Sequence, residues 1–214
     1  MEALRTVNIE SWRQGTDHMI LTDIFQSSVS VAIWQRESNL LVEDYFRSCF
    51  NELGNGVRQV FSVAGLKSGL AEELPEYRGK QQTIEDIYLL ADMLTCLFNC
   101  EAVGLRLAPL NKAMCPKLHT DNIPVRLVNT YLGSGTQWLP REALTEQPFT
   151  SLREHLKAVE QNSIEQEAIQ QMSAFDVGLL KGSAWDEQEN MAAIHRSCAV
   201  ANDEQRVLLT LDPM

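Results

Sequence analysis

His119 and Asp121 form a His-x-Asp pair within Leu118-His119-Thr120-Asp121. On an extended chain, residues two apart point to the same side. Strand rise puts their Cα atoms about 6–7 Å apart. An imidazole and a carboxylate so placed suit two adjacent positions on one metal ion. A third ligand must come from elsewhere. His195, 74 residues beyond Asp121 in Ala193-Ile194-His195-Arg196-Ser197, is the candidate. Two histidines and one carboxylate leave coordination positions open, the arrangement of non-haem Fe(II) oxygenases. Arg206 follows His195 by eleven residues and opens the run Val207-Leu208-Leu209-Thr210-Leu211. A guanidinium entering so apolar a strand needs an anionic partner, because burying it alone is costly. A bound dicarboxylate would supply one through two parallel hydrogen bonds. Arg126 also lies on an apolar run, and is either an alternative carboxylate anchor or the partner of an acidic residue on a helix.

Cys115 precedes His119 by four residues. On a straight strand it shares the face but lies about 13 Å away, too far for one ion unless Pro116 bends the chain. A Cys115/His119/Asp121/His195 set would favour zinc, since thiolate is a soft ligand. The alternative for Cys115 is a buried, inert thiol. Trp138 and Trp185 fall near loops, where they either wall a pocket or pack against the core. His18 and His155 sit among polar residues and are expected to be exposed. Lys181 is expected to be solvated at a strand end.

The elements that must position these residues divide the chain in two. Residues 38–53 carry a helical stripe of Leu40, Leu41, Tyr45, Phe46, Cys49, Phe50 and Leu53, stopped by Gly54-Asn55-Gly56. Val57 to Val63 reads as a short strand. Residues 65–79, with three glycines and Pro75, read as a loop. Thr83 followed by Asp86 resembles a capping box opening a second helix that runs to about Cys100. From Ala102 the period changes to two: Val103, Leu105 and Leu107 alternate with Gly104, Arg106 and Ala108, until Pro109 ends the strand. Further strands are expected at 124–132, 137–139, 175–181, 191–197 and 205–211. A polar helical segment, broken near Ser163, fills 151–172 and reads as an exposed excursion. Short strands with Gly/Pro turns suggest a sandwich or small barrel.

Composition narrows the function classes. The 214 residues are 44% hydrophobic and 22% charged, ordinary values for a folded chain. At this length roughly 70% of the unfolded surface can be buried, so the core needs no disulfides. The net charge of −11 is spread over both halves, without a basic block that would serve nucleic acid. No apolar run is long enough to span a membrane, and the N-terminus lacks the apolar region of a signal peptide. Five cysteines, an odd number, fit free thiols in a reducing cytoplasm.

The stretch Ala113–Pro140 resembles a bacterial family known as domain of unknown function 1826, as do Gly178-Leu179-Leu180-Lys181-Gly182, Ile194-His195-Arg196-Ser197 and Arg206–Pro213. The order His-x-Asp, His, Arg is in turn similar to the Fe(II)/2-oxoglutarate dioxygenase superfamily. That more distant resemblance implies an α+β fold: a double-stranded β-helix (jelly-roll, cupin-like) core in residues 102–214, flanked by a mainly helical part in 1–101, all in one domain. It implies His119, Asp121 and His195 as iron ligands and Arg206 as partner of the far carboxylate of 2-oxoglutarate. The expected function is an Fe(II)- and 2-oxoglutarate-dependent oxygenase acting on a small-molecule or peptide substrate, with no nucleic-acid or membrane partner. Two alternatives stand beside it: a zinc-binding protein of metal homeostasis using Cys115, and a non-catalytic jelly-roll binding domain.

Overall fold

The computed structural model describes residues 10–144, 152–160, 166–185, 191–201 and 204–214. Ten strands are present among them: β1 (Trp12–Gly15), β2 (Val31–Trp34), β3 (Val57–Ser62), β4 (Ala102–Leu110), β5 (Val125–Leu132), β6 (Gln137–Leu139), β7 (Gln170–Gln171), β8 (Val177–Lys181), β9 (Ile194–Arg196) and β10 (Arg206–Pro213). The α-helices are α1 (Leu40–Cys49), α2 (Val63–Glu73), α3 (Lys80–Phe98) and α4 (Leu152–Val159).

Seven strands form one sheet in the order β1-β2-β8-β5-β10-β4-β3, and three form another in the order β7-β6-β9. An isolated antiparallel bridge between His119 and His195 adds a fourth rung beyond β9. From β4 onward the chain visits the large sheet, the His119 rung, the large sheet at β5, the small sheet at β6 and β7, then β8, β9 and β10 in alternation. Two facing four-rung sheets, β8-β5-β10-β4 and β7-β6-β9-His119, result. This is a jelly roll. The strands of the two facing sheets, β4 to β10, all fall within residues 102–213, and residues 10–101 do more than flank them. β3 extends the large sheet beyond β4, and β2 and β1 extend it beyond β8. Only β1 and β2 pair in parallel.

The two faces of the large sheet do different work. The outer face presents Val103, Leu105, Leu107, Leu127, Tyr131, Leu179, Leu209 and Leu211, which pack with Phe46, Ile87, Leu90 and Leu94 of α1 and α3 in one apolar core. Each such side chain contributes about 1.5–3 kcal/mol on burial. The inner face contributes Val128 and Leu180 to a smaller cluster with Trp138, Met172 and Ala193 from the facing layer.

Several local expectations need correction. Residues 63–73 are the helix α2, not loop. Ser62 caps it by accepting the Gly65 amide at 3.2 Å. Its Gly69 weakens intrinsic helix propensity, yet a Cβ there would come within 2.4 Å of the Phe61 ring, so the glycine serves close packing. The second helix starts at Lys80 rather than at a Thr83–Asp86 capping box. Thr83 is buried one turn in and donates its hydroxyl to the Gly79 carbonyl at 3.0 Å. The Asp86 carboxylate is instead taken by Arg36, at 2.8 and 3.2 Å, and by the Tyr131 hydroxyl, at 2.7 Å. β4 continues through Pro109, which pairs with Val207. The segment after 151 is not a wholly exposed excursion: Leu156 and Val159 of α4 are buried against Leu118, Leu139 and Ile194. Ser163 lies outside the described residues, as does the side chain of His155; His18 is exposed. Lys181 is 2% exposed, with its ammonium donating to the Gln26 carbonyl at 2.7 Å and lying 5.0 Å from the centre of the Trp185 ring. Its aliphatic stem is therefore buried and its charge satisfied locally.

Candidate metal centre

His119 and His195 face each other across the bridge that closes the small sheet. Each backbone N–H donates to the other's carbonyl, both at 3.0 Å. Directly opposed residues of an antiparallel pair project to the same face. The two imidazoles therefore meet, with ring centroids 4.4 Å apart. Asp121 follows two residues after His119 and returns to the same point. Its Oδ1 is 3.8 Å from His119 Nε2, and its Oδ2 is 3.5 Å from His195 Nε2. One ligand atom from each of the three residues lies within 4.8 Å of the others. Among the described residues this is the one such group, and the exposed Cys115 is not in it. The Cys115 carbonyl accepts the Ser197 amide at 2.9 Å. Cys115 is neither a buried thiol nor a member of the cluster.

The backbone prepares both rings. His119 Nδ1 is 2.9 Å from the Lys117 carbonyl, and His195 Nδ1 is 3.1 Å from the Ala193 carbonyl. A carbonyl can only accept, so each neutral ring carries its proton on Nδ1 and turns a free Nε2 lone pair toward Asp121. Such outer partners orient metal-ligating histidines. Burial, and then the neighbouring His195, lower the His119 pKa, which favours the neutral ring. Burial raises the Asp121 pKa, but the hydrogen bond and charge that His195 offers when protonated at Nε2, with the charges of Arg126 and of protonated His119, outweigh it and bring the carboxyl to about 2.

Arg126 sits directly behind Asp121. Its Nη1 donates to Asp121 Oδ2 at 2.7 Å, while Nε and Nη2 clasp Asp212 at 2.7 and 2.8 Å. Neither of the two roles expected for Arg126 describes this. Its guanidinium is already matched by two carboxylates of the chain, and the second comes from β10 rather than from a helix. Asp212 escaped the sequence reading although a signal existed, since the parity that places Arg206, Leu208 and Thr210 on one face of β10 extends to residue 212. The Asp121 backbone is fixed from the other side, its carbonyl accepting the Ser183 amide at 2.8 Å and the Ser183 hydroxyl at 3.2 Å. A Cβ on Gly182 would lie 1.8 Å from the Ile123 oxygen, so only glycine allows the loop this close.

Arg206 is fully buried, on the inner face of the jelly roll. Its Nε donates to the Ser134 carbonyl at 2.6 Å, and Nη2 reaches the Thr130 and Thr136 hydroxyls at 3.3 and 3.4 Å. Its Nη1 is buried without a hydrogen-bond partner, and it forms no ion pair among the described residues. Burial lowers its pKa. The Trp138 Nε1, also buried and cross-strand from His195, is likewise unsatisfied. Trp138 packs edge-on to Trp12 inside the barrel, and Trp185 packs with Phe25 and Phe98. Two buried donors aimed at no acceptor are unusual in a folded protein. The arrangement can bind a divalent ion through two imidazoles and a carboxylate, with an anion-seeking guanidinium on the same barrel interior.

The family model described as a protein of unknown function (DUF1826) matches residues 15–212. No curated protein sequence matches this chain. Among solved structures it is similar to a dioxygenase for auxin oxidation (DAO) in rice, at 11% identity and a TM-score of 0.48, over 86% of this chain and 73% of that one. It is also similar to AviO1 from Streptomyces viridochromogenes Tue57, at 11% identity and a TM-score of 0.46, over 94% and 96%. A third similar structure is apo HygX from Streptomyces hygroscopicus, at 14% identity and a TM-score of 0.47, over 92% and 87%.

Proposed function

We propose that this chain, which belongs to the DUF1826 family, is a non-haem iron oxygenase that uses 2-oxoglutarate, with His119, Asp121 and His195 holding the metal and Arg206 pairing with the far carboxylate of the 2-oxo acid. The triad by itself suits zinc as well as iron. The observation that carries the oxygenase reading is Arg206, a buried cation with an unpartnered Nη1 and no ion pair among the described residues, Glu204 acting on it only from beyond ion-pair distance. Leaving such a group unmatched costs free energy that a bound carboxylate would recover. The hydroxyls of Thr130 and Thr136 hold the guanidinium in place for that contact.

The chain's own residues have clear tasks in this reading. His119 and His195 present Nε2 because Lys117 and Ala193 hold their Nδ1 protons. Arg126 keeps the Asp121 carboxylate ionised and aimed at the rings. Val128, Leu180, Met172 and Trp138 wall the barrel interior and exclude water. When bound, iron with its 2-oxo acid supplies the oxidising chemistry, and the protein supplies orientation.

Calorimetric titration of Mn(II)-loaded protein with 2-oxoglutarate tests the reading. Binding is expected, and Arg206→Lys should weaken it about ten- to a hundredfold, because hydrogen bonds to charged groups are worth about 1.5–3 kcal/mol and a point charge cannot reproduce the fork. No heat at millimolar 2-oxoglutarate would remove the oxygenase reading.

A further inference from the structure

A second cationic feature lies beyond the triad. Arg58 of β3 and Arg106 of β4 are register partners on adjacent antiparallel strands. Their side chains therefore project from the same face with Cβ atoms about 4.5–5.5 Å apart, and like charges so placed repel. Both are exposed, and among the described residues neither makes a hydrogen bond or an ion pair. Together they line a cavity of about 490 Å³ that also takes in Met114, Thr210, Asp212 and Arg126. A volume of this size is ordinary for a small-molecule site. Arg126, one of the lining residues, is also bonded to Asp121 of the triad at 2.7 Å. Glu73 lines an adjoining cleft with Arg58 and Arg106 but pairs with neither. Asp212 is already clasped by Arg126. Arg58 and Arg106 are thus two unmatched guanidinium groups beside an Arg126 already neutralised by Asp121 and Asp212, in a chain whose net charge is −11.

A charge on an edge strand is a common guard against strand pairing. That explains Arg58, since β3 ends the sheet. It does not explain Arg106, which lies on the interior strand β4 directly beneath the same cavity.

We infer that Arg58 and Arg106 form the binding site for an oxyanion group of the substrate, a carboxylate or a phosphate, holding a small anionic metabolite in the cavity beside Arg126 and the triad. Calling the ligand a substrate rests on the oxygenase reading, whereas the anion site stands on the arginine pair alone. Guanidinium groups match both oxyanions bidentately.

The test uses metal-free protein titrated with inorganic phosphate and, separately, with acetate. Saturable binding of at least one is expected, weakened fivefold or more in an Arg58→Gln/Arg106→Gln double variant and retained in Arg206→Lys. Without ligand the double variant should melt at or above the parent temperature, because a repulsive pair is gone, and phosphate or acetate should no longer raise it. Preference for phosphate assigns a phosphorylated substrate, and preference for acetate a carboxylate. Equal binding by parent and double variant, or no binding by either, overturns the proposal and leaves the pair as edge protection only. Binding lost only in Arg206→Lys overturns it as well. Failure here leaves 2-oxoglutarate binding to the Mn(II) protein untouched. Loss of that binding, with the arginine pair still active, would retire the oxygenase reading and keep the anion site.

Discussion

The histidines of the centre are set by what binds their far nitrogens. Lys117 and Ala193 supply carbonyls, so neither ring depends on a carboxylate for its tautomer. Asp121 depends on a side chain. Arg126 stands between it and Asp212 and turns three charged groups into one rigid unit. Arg126→Met should leave Asp212 unpaired and Asp121 free to rotate. Outer partners of metal ligands typically influence affinity by about 10–100-fold. We expect a loss in that range for Mn(II) or Zn(II), read by titration, with a smaller effect from Asp212→Asn, which keeps an acceptor for the guanidinium.

At the level of elements, the site is a product of register. The His119–His195 bridge aligns two segments 76 positions apart in the chain so that their rings share a face. The loop that returns Asp121 to this point is pressed against the end of β8 at Gly182. Gly182→Ala should displace the 121–123 backbone, since its Cβ would collide with the Ile123 and Asp121 carbonyl oxygens. Overpacking of this kind costs about 1–3 kcal/mol. The expected outcome is a lower melting temperature together with weakened metal binding, measured on the same preparation. A folded variant with unchanged metal affinity would show that the loop does not govern the Asp121 position. On the outer face of the same sheet, Tyr131, Asp86 and Arg36 tie β5 to α3 and to the end of β2, which keeps the strand carrying Arg126 in place.

For the whole molecule, the centre closes the jelly roll, because His119 provides the outermost rung of the small sheet. A metal held there joins segments from 119, 121 and 195 and binds only the folded chain. At a hundredfold excess over its dissociation constant such a ligand adds about 2.7 kcal/mol. For a chain of this size that corresponds to a rise of about 5–11 °C in melting temperature. Thermal unfolding with Mn(II) or Zn(II) should show it, and His119→Ala should abolish it. Equal shifts in both proteins would place the metal elsewhere. No helix among the described residues is long and apolar enough to cross a membrane.

Local pattern was enough to locate much of this. Alternation marked β4, apolar runs marked β5 and β10, and the helical stripe at residues 38–53 marked α1, because the pattern of a segment follows from which of its faces are buried. Parity placed His119 with Asp121, and the oddity of a guanidinium opening an apolar strand singled out Arg206. Where local propensity competed with packing, packing prevailed. α2 forms despite its glycines because Gly69 admits the Phe61 ring. Asp86 leaves its expected capping role because Arg36 and Tyr131 claim its carboxylate. Lys181 is buried because Gln26, distant in sequence, offers a carbonyl. The partnerships that define the site are also long-range: His195 with His119, Arg126 with Asp212, Arg58 across from Arg106. The sequence determined which residues could ligate, pair or carry charge, since those properties belong to single side chains and their immediate spacing. Only the tertiary structure decided which of them meet, because strand register between distant segments is set by the packing of the whole sheet and not by any one of its strands.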